Sequence, residues 1–198
     1  MTGPGSTEPG LVRIGLAGYG RGGRYFHAPL IGLAPECVLA AVLTRDPRRR
    51  AALNRDFPGV PAVDRLRAVA AVGVDAVVIT TPLDTHEALV REAIALGLPV
   101  VCDKPFTPDA ATARTLVHEA ERSGVPLAVY QNRRWDADFL TVRALVASAA
   151  LGEVTSFESR MEQYPPADGF ATTTGGGVLR DFGSHLAGSA PPAARWCG

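Results

Sequence analysis

The sequence contains few cysteines and no excess of charge, and both absences exclude classes of protein. Its three cysteines are odd in number and widely spaced, which argues against a disulfide framework or a zinc site and favours a reducing cytoplasm. The 20 basic and 20 acidic residues cancel, so nothing indicates nucleic acid or an anionic membrane as a partner.

Long apolar runs and targeting signals are missing as well. No run approaches the ~18 apolar residues of a transmembrane helix. Residues 1–10, MTGPGSTEPG, lack the basic and apolar regions of a signal peptide, and their glycines and prolines predict a disordered leader. We therefore expect a cytoplasmic protein whose 198 residues hold one core and the start of a second.

What the sequence does contain is a glycine-rich turn after an apolar run. The pattern G-x-G-x-x-G stands at Gly18, Gly20 and Gly23, and a predicted helix follows at 24–33. In a dinucleotide site the first glycine permits the turn, the second lets a pyrophosphate approach the backbone, and the third brings the helix against the strand. An ordinary glycine-rich turn within a core is the alternative. We assign to cofactor binding Gly18, Tyr19, Gly20, Arg21 and Gly23.

The end of the second predicted strand, 38–43, indicates which nicotinamide cofactor is preferred. An acid there binds the ribose hydroxyls of NAD, whereas an arginine accommodates the 2′-phosphate of NADP. Thr44 and Arg45 occupy this position, which favours NADP and leaves NAD as the alternative. Asp46 is a rival acid, although its place before Pro47 is typical of a helix N-cap.

Strands and helices alternate through the first part of the chain, with no hairpin signal between them. Before one of the helices, Asp84 and Glu87 form a capping-box pattern. Further apolar runs predict strands at 74–80, 98–102 and 125–130. Alternation of this kind predicts an α/β fold with a doubly wound parallel sheet. We interpret residues 11–131 as a nucleotide-binding domain.

The pattern changes after residue 131. Helices are predicted over 136–150 and 179–187, and between them an alternation of apolar and polar side chains predicts an antiparallel strand over 153–164. One strand and two helices are too few for an independent domain. We therefore interpret residues 132–198 as an incomplete second domain.

Several longer stretches resemble a known family in their residues and in their order. They read GLAGYGRGGRYFHAPLI, TTPLDTHEALVREAIALGLPVVCDKPFT, YQNRRWDADFLTVRALV, LGEVTSFESR and GGGVLRDFGSHL. Together they resemble the Gfo/Idh/MocA oxidoreductases over about residues 11–187, and YQNRRWD resembles the NADP-dependent scyllo-inositol dehydrogenase branch. The resemblance implies a Rossmann domain, an α/β substrate domain, and nicotinamide-dependent chemistry on sugars or inositol-type polyols.

The resemblance also implies a truncation. Family members continue well past the motif that ends at His185, whereas this chain ends soon after it in residues unlike the family. Most of the second domain's sheet is then missing, and with it the walls of a substrate site. Members of the family form homo-oligomers through that sheet, so we do not predict a homo-oligomer for this chain.

Three stretches of the first domain are predicted to lie near the cofactor, two of them by resemblance to family residues. Asp103-Lys104-Pro105 resembles a Glu-Lys-Pro motif, in which Lys104 would bind the substrate hydroxyl and stabilise a developing oxyanion. A surface lysine before a proline turn is the alternative. His86 resembles a family histidine near the cofactor, and a surface histidine is equally compatible. The end of the third clear strand should pass under the cofactor with Thr80, Thr81 and Pro82.

A fourth stretch, in the second domain, contains the candidates for proton transfer. Asp181 and His185 are four residues apart, which puts them on one helix face. They resemble the family's Asp-x-x-x-His, whose histidine is the general acid/base and whose aspartate contacts the substrate. Without that resemblance, a helix cap and a packed histidine would be the better interpretation. We assign to catalysis Lys104, Asp181 and His185.

These observations predict an NADP-dependent oxidoreductase that transfers a hydride between the nicotinamide and a secondary alcohol of a sugar or polyol. A non-catalytic NADP-binding fragment, or an inactive relic of such an enzyme, is the main alternative. A Rossmann methyltransferase is a second alternative, although methyl transfer needs neither the Asp-Lys-Pro nor the Asp-x-x-x-His stretch.

Overall fold

The structure is a computed structural model that describes residues 10–162 and 177–188. Its chain divides into two compact units, Met1–Val129 and Tyr130–Gly198. Most of the predicted leader, 1–10, and the last ten residues of the chain lie outside the described part.

The first unit is built on a six-stranded parallel sheet. The strands follow in space the order β3-β2-β1-β4-β5-β6. They are β1 (Val12–Ala17), β2 (Cys37–Leu43), β3 (Ala62–Val63), β4 (Ala76–Ile79), β5 (Val100–Asp103) and β6 (Leu127–Tyr130). This is the order of a dinucleotide-binding sheet, and its direction reverses between β1 and β4. The predicted doubly wound α/β fold is therefore confirmed.

Helices cover both faces of this sheet. A π-helix, Gly23–His27, runs directly into the first α-helix, so the predicted helix over 24–33 has two different turns. The α-helices of this unit are α1 (Ala28–Leu33), α2 (Pro47–Asp56), α3 (Leu66–Ala71), α4 (His86–Ala95) and α5 (Ala110–Arg122). Pro29 lies in the first turn of α1, directly after the π-helix, and the fixed φ of proline fits the helical backbone there.

Alternating side chains of the strands enter two separate hydrophobic clusters. Ala17 and Ile79 pack with α3, α4 and α5, whereas Leu16 and Val78 pack with α1 and α2. Neighbouring residues of a strand point to opposite faces of the sheet, so each face has its own core. Burial on both faces explains why the strands are continuous apolar runs in the sequence.

Two predicted helix starts have different outcomes. Asp46 caps α2, since its Oδ1 accepts a hydrogen bond from the backbone N–H of Arg48 at 2.8 Å. The capping box at Asp84 is wrong, because a 3₁₀ turn, Leu83–Thr85, precedes α4 and Thr85 is the residue before the helix. Thr85 directs its hydroxyl to Thr81 and to the carbonyl oxygen of Pro82, which stabilises this tighter turn.

The second unit contains helices among its described residues. A 3₁₀ turn, Asn132–Trp135, leads to α6 (Ala137–Ala147), and α7 (Gly177–Gly188) contains the predicted helix over 179–187. The predicted strand over 153–164 is wrong for residues 153–162, which form no strand. A strand needs a hydrogen-bonded partner, and no described residue of this unit pairs with them. Across the described ranges, every helix is too short or too polar to cross a bilayer.

Candidate functional site

The glycine turn lies between the carboxyl end of β1 and the π-helix, at the point where the strand order reverses. Gly18 adopts a φ of +106°, and a Cβ there would come within 2.7 Å of the carbonyl oxygen of Thr80. A Cβ on Gly23 would overlap the carbonyl oxygen of Gly18. Both positions therefore require glycine, the first for its backbone angle and the second for close contact between helix and turn.

Gly20 differs from the other two glycines because a Cβ there would clash with no atom. The nearest atoms to a Cβ on Gly20 belong to the guanidinium of Arg49, at 3.8 to 3.9 Å. The backbone is therefore accessible to a ligand, and a positive charge stands beside it. An exposed backbone with a neighbouring guanidinium fits a pyrophosphate, since arginine pairs well with phosphate oxygens. No role was assigned to Arg49 from the sequence.

Two further residues of the turn have different surroundings. The side chain of Tyr19 is buried, and its hydroxyl donates a hydrogen bond to Asp56 at 3.0 Å, so only its backbone is available to a cofactor. Burial, followed by the hydrogen bond to Asp56, raises the pKa of Tyr19. Arg21 begins the helical segment with an exposed side chain. The cofactor-binding roles assigned to these two residues remain predictions.

Two arginines that follow β2, Arg45 and Arg50, make different contacts. Arg50 donates to the carbonyl oxygens of Thr44 and Ala62, at 2.9 and 3.1 Å, and so joins β2 to β3. Arg45 is exposed, and its Nε donates to the carbonyl oxygen of Asp64 at 3.0 Å. The side chain of Thr44 is buried. Arg45 is thus the arginine with an exposed guanidinium at the carboxyl end of β2.

Two predicted cofactor residues meet below the glycine turn. Thr80 follows β4 and Asp103 ends β5; the Thr80 hydroxyl donates to Oδ2 of Asp103 at 2.6 Å. The other oxygen, Oδ1, lies 2.6 Å from Nε2 of His27, a buried residue of the π-helix. His27 was not predicted as a site residue, because its partner is 76 positions away in the chain.

His86 is a buried histidine, so its interpretation as a surface residue is wrong. Its Nε2 lies 2.8 Å from the carbonyl oxygen of Thr81, and its Nδ1 lies 3.1 and 3.2 Å from those of Pro105 and Phe106. The ring therefore joins the loop after β4 to the loop after β5. Pro82, by contrast, is exposed.

Lys104 is half-buried at the carboxyl end of β5, between Asp103 and the cis peptide bond to Pro105. Ligands of doubly wound sheets lie beyond the carboxyl ends of the strands. The position of Lys104 is therefore compatible with a contact to a bound nucleotide or substrate, and its catalytic role remains a prediction.

The other two predicted catalytic residues belong to the second unit. Both lie on α7, where Asp181 is exposed and His185 is half-buried. His185 lines a cavity of about 450 Å³ together with Arg133, Asp136 and residues 157–162, whereas Asp181 is not among the lining residues. Arg133 also forms an ion pair with Asp136 at 3.1 Å. Trp135 is 75% exposed.

The fold and the glycine turn agree with comparisons to known proteins. Residues 12–131 match the family described as "Oxidoreductase family, NAD-binding Rossmann fold", and residues 139–190 match the "GFO/IDH/MocA C-terminal domain". The chain belongs to the Gfo/Idh/MocA oxidoreductase family. The resemblance seen in the motifs is thereby confirmed, and the methyltransferase alternative is excluded.

Relatives in this family include two curated bacterial proteins. The chain is 39% identical to the oxidoreductase YdgJ of Escherichia coli over 180 residues, which cover 88% of this chain and 51% of YdgJ. It is 33% identical over 184 residues to IolW of Bacillus subtilis, named a scyllo-inositol 2-dehydrogenase (NADP(+)), with coverage of 88% and 49%. The chain spans about half the length of these relatives.

A solved structure gives the same result for the fold. The NAD-binding protein from Listeria innocua superposes with a TM-score of 0.79 and is 33% identical, with coverage of 88% of this chain and 52% of that one. Among the described residues, no cluster of three or more His, Cys, Asp or Glu side chains could hold a metal ion.

Proposed function

We propose that the chain binds NADP and carries the nicotinamide half of a dehydrogenase that acts on a secondary alcohol of a sugar or inositol-type polyol. The observation that carries this proposal is the glycine turn, in which a Cβ on Gly20 would meet only the guanidinium of Arg49. Membership of an oxidoreductase family with an NAD-binding Rossmann fold supports the same function.

The preference for NADP rests on the end of β2. Arg45 has an exposed guanidinium there, which suits a 2′-phosphate. Asp46, the rival acid for the ribose of NAD, caps α2 through Oδ1 and lies 3.5 Å from Nε of Arg49 through Oδ2. Each oxygen of Asp46 thus already has one partner, which leaves fewer acceptor sites for the ribose hydroxyls of NAD. The name of the relative IolW, which includes NADP(+), supports this preference.

The residues of this chain would then have separate tasks. Bound NADP supplies or accepts the hydride. The backbone of the glycine turn holds the pyrophosphate. Lys104 hydrogen-bonds the substrate hydroxyl and stabilises negative charge on its oxygen, and His185 exchanges the hydroxyl proton. Asp181 contacts the substrate. The polyol class is supported by the inositol substrate in the name of IolW.

A non-catalytic NADP-binding fragment, or an inactive relic, is the second candidate. The observation that favours it lies in the second unit, where residues 153–162 form no strand. The non-catalytic fragment would keep the nucleotide site of the first unit and lack turnover, whereas the relic would lack both. The two candidates therefore differ in catalysis, while the relic also fails to bind nucleotide.

The first experiment is a fluorescence titration of the 198-residue chain with NADPH and, separately, with NADH. The proposal predicts that NADPH binds at least about tenfold more tightly, which corresponds to one charge-assisted contact to the 2′-phosphate. Arg45→Ala should remove this preference and leave NADH affinity unchanged. Arg114→Ala, an exposed arginine of α5, is the matched control and should bind like the wild type.

A second measurement tests catalysis. Reduction of NADP(+) in the presence of a panel of inositols and sugars should be visible by absorbance, and Lys104→Ala should abolish it. Tight NADPH binding without turnover would favour the non-catalytic fragment. Binding of neither nucleotide would overturn the proposed function and favour the relic.

A further inference from the structure

The carboxylate of Asp103 is held on both sides, and its partners come from different elements of the fold. Thr80 follows β4, and His27 belongs to the π-helix behind the glycine turn. Each contact is 2.6 Å long. A carboxylate bound through both oxygens cannot rotate without breaking a hydrogen bond. The three residues therefore join the glycine turn, β4 and β5 at the carboxyl ends of these strands.

This cluster of His27, Thr80 and Asp103 lies directly beneath the nucleotide turn. A Cβ on Gly22 would come within 3.2 Å of Oδ2 of Asp103 and would overlap the Thr80 hydroxyl. The side chain of His27 is 7% exposed, and that of Asp103 is 22% exposed. Hydrogen bonds of charged groups are stronger in such sheltered positions than in water.

The π-helix explains how His27 reaches this place. A π-turn contains one residue more than an α-turn, which changes the direction of the side chains that follow. Here the π-helix ends with His27 and α1 begins at Ala28. Such turns are frequent at functional sites, and this one directs a buried imidazole to the residue before Lys104.

We propose that His27 is a positioning residue for the nicotinamide end of the site. By fixing Asp103, it fixes the backbone at the end of β5 and thus the place where Lys104 leaves the sheet. This inference rests on the proposed function for its ligand, and its structural part can be tested without any nucleotide. His27 would not contact the substrate.

The variants are chosen to separate positioning from general stability. His27→Leu removes the ring nitrogens, whereas His27→Gln keeps an N–H donor and should rescue the effect in part. His118→Leu is the matched control, because its imidazole is 72% exposed on α5. All variants are made in the complete 198-residue chain and compared by circular dichroism and urea unfolding.

The first readout is amide hydrogen exchange in the absence of nucleotide, measured by mass spectrometry. His27→Leu should increase exchange in the peptide that spans 102–107 and in the glycine turn, and leave α5 unchanged. His118→Leu should change neither segment. Unchanged exchange at 102–107, or an equal increase throughout the first unit, would overturn the inference whether or not the chain binds nucleotide.

The second readout compares a complete and a shortened ligand. His27→Leu should weaken NADPH about tenfold, as expected if the displaced loop after β5 loses one charged hydrogen bond to the ligand, and should weaken 2′,5′-ADP by a smaller factor. The shortened ligand keeps the adenosine with its 2′- and 5′-phosphates but lacks the nicotinamide riboside, so its binding does not report the nicotinamide end. Equal losses for both ligands would contradict positioning of the nicotinamide. If the wild type binds neither ligand, the proposed function fails while the exchange result still decides the structural part.

Discussion

The phenol hydroxyl of Tyr19 donates a hydrogen bond to Oδ2 of Asp56 across 3.0 Å, and so links the glycine turn to the last residue of α2. Arg24 binds the same carboxylate with Nε at 2.6 Å and Nη2 at 3.1 Å. The hydrogen bond from Arg24, with a smaller contribution from Tyr19, holds the pKa of Asp56 below its ordinary value. A side chain within the glycine turn thus has a structural role.

We expect Tyr19→Phe to lower the free energy of unfolding by about 1 kcal/mol, the usual contribution of one hydrogen bond. The ring remains in its buried place, so no cavity forms. Because only the backbone of Tyr19 is available to a cofactor, NADPH affinity should change less than twofold. Urea unfolding and the fluorescence titration measure the two quantities. Tyr25→Phe, at a side chain that is 64% exposed, is the control and should change neither.

A second prediction concerns Gly23→Ala. The added methyl group would overlap the carbonyl oxygen of Gly18, so the helical segment must move away from the turn. We expect loss of nucleotide binding together with destabilisation of about 1 to 3 kcal/mol, as for other overpacked sites. Gly32→Ala in α1 is the control, since its methyl group meets only the ring of Phe57 at 3.5 Å. A Gly23→Ala protein that still binds NADPH normally would show that close helix contact is not needed.

The elements that the sequence predicts well are those with local causes. The glycine turn, the strand before it and the Asp46 cap each depend on residues within a few positions of one another. The capping box at Asp84 had the same local support, but a 3₁₀ turn takes its place because Thr85 binds back to Thr81 and Pro82. Local patterns therefore identify a helix more reliably than its first residue.

Residues missed by sequence analysis are those whose partners are distant in the chain. His27 meets Asp103 across 76 positions, and no periodicity relates the two. Nothing in the sequence distinguishes Arg49 from the neighbouring Arg48 and Arg50. The fold places its guanidinium beside Gly20. The strand expected over 153–164 is absent over 153–162. Alternation of apolar and polar residues predicts which side chains share one face of a strand, but a strand also needs a hydrogen-bonded partner. The role of such residues therefore depends on neighbours in the folded chain, which local sequence patterns do not reveal.

The third prediction concerns the thiol of Cys102 in β5. Burial, with a smaller contribution from the charge of Asp103, raises the pKa of Cys102 to about 12. Iodoacetamide reacts with thiolates, so Cys102 should stay unlabelled from pH 7 to 9 in the folded chain and react in urea. Cys37, which is partly exposed, should be labelled in the folded chain. Peptide mapping by mass spectrometry distinguishes the two, and rapid labelling of Cys102 would contradict the burial.

The same shift has a consequence for stability at high pH. A raised pKa means that the folded chain keeps a proton that the unfolded chain loses near the ordinary thiol value of about 8.5. The stabilisation is therefore complete below that value and is lost as the pH rises toward 12. Cys102→Ala should show a weaker decline in urea midpoint between pH 8.5 and 10.5 than the wild type. Parallel pH curves for the two proteins would refute this account.

The last prediction concerns His86, which joins the loops after β4 and β5 through the carbonyl oxygens of Thr81, Pro105 and Phe106. His86→Ala removes a fully buried ring and leaves these oxygens without that partner, so we expect a loss of about 2 to 4 kcal/mol in unfolding free energy. His118→Ala, at an exposed histidine of α5, should stay within about 0.5 kcal/mol of the wild type. Urea unfolding measures both.

The effect of His86→Ala on nucleotide binding separates two roles for the residue. If His86 acts by holding the loops, NADPH and 2′,5′-ADP should respond differently, because the loop after β5 carries Lys104 and lies at the nicotinamide end of the proposed site. His86→Gln, which retains an amide that can reach a carbonyl oxygen, should recover part of both stability and NADPH affinity. A variant that loses stability but binds both ligands like the wild type would restrict His86 to the core, and its assignment to cofactor binding would then be withdrawn.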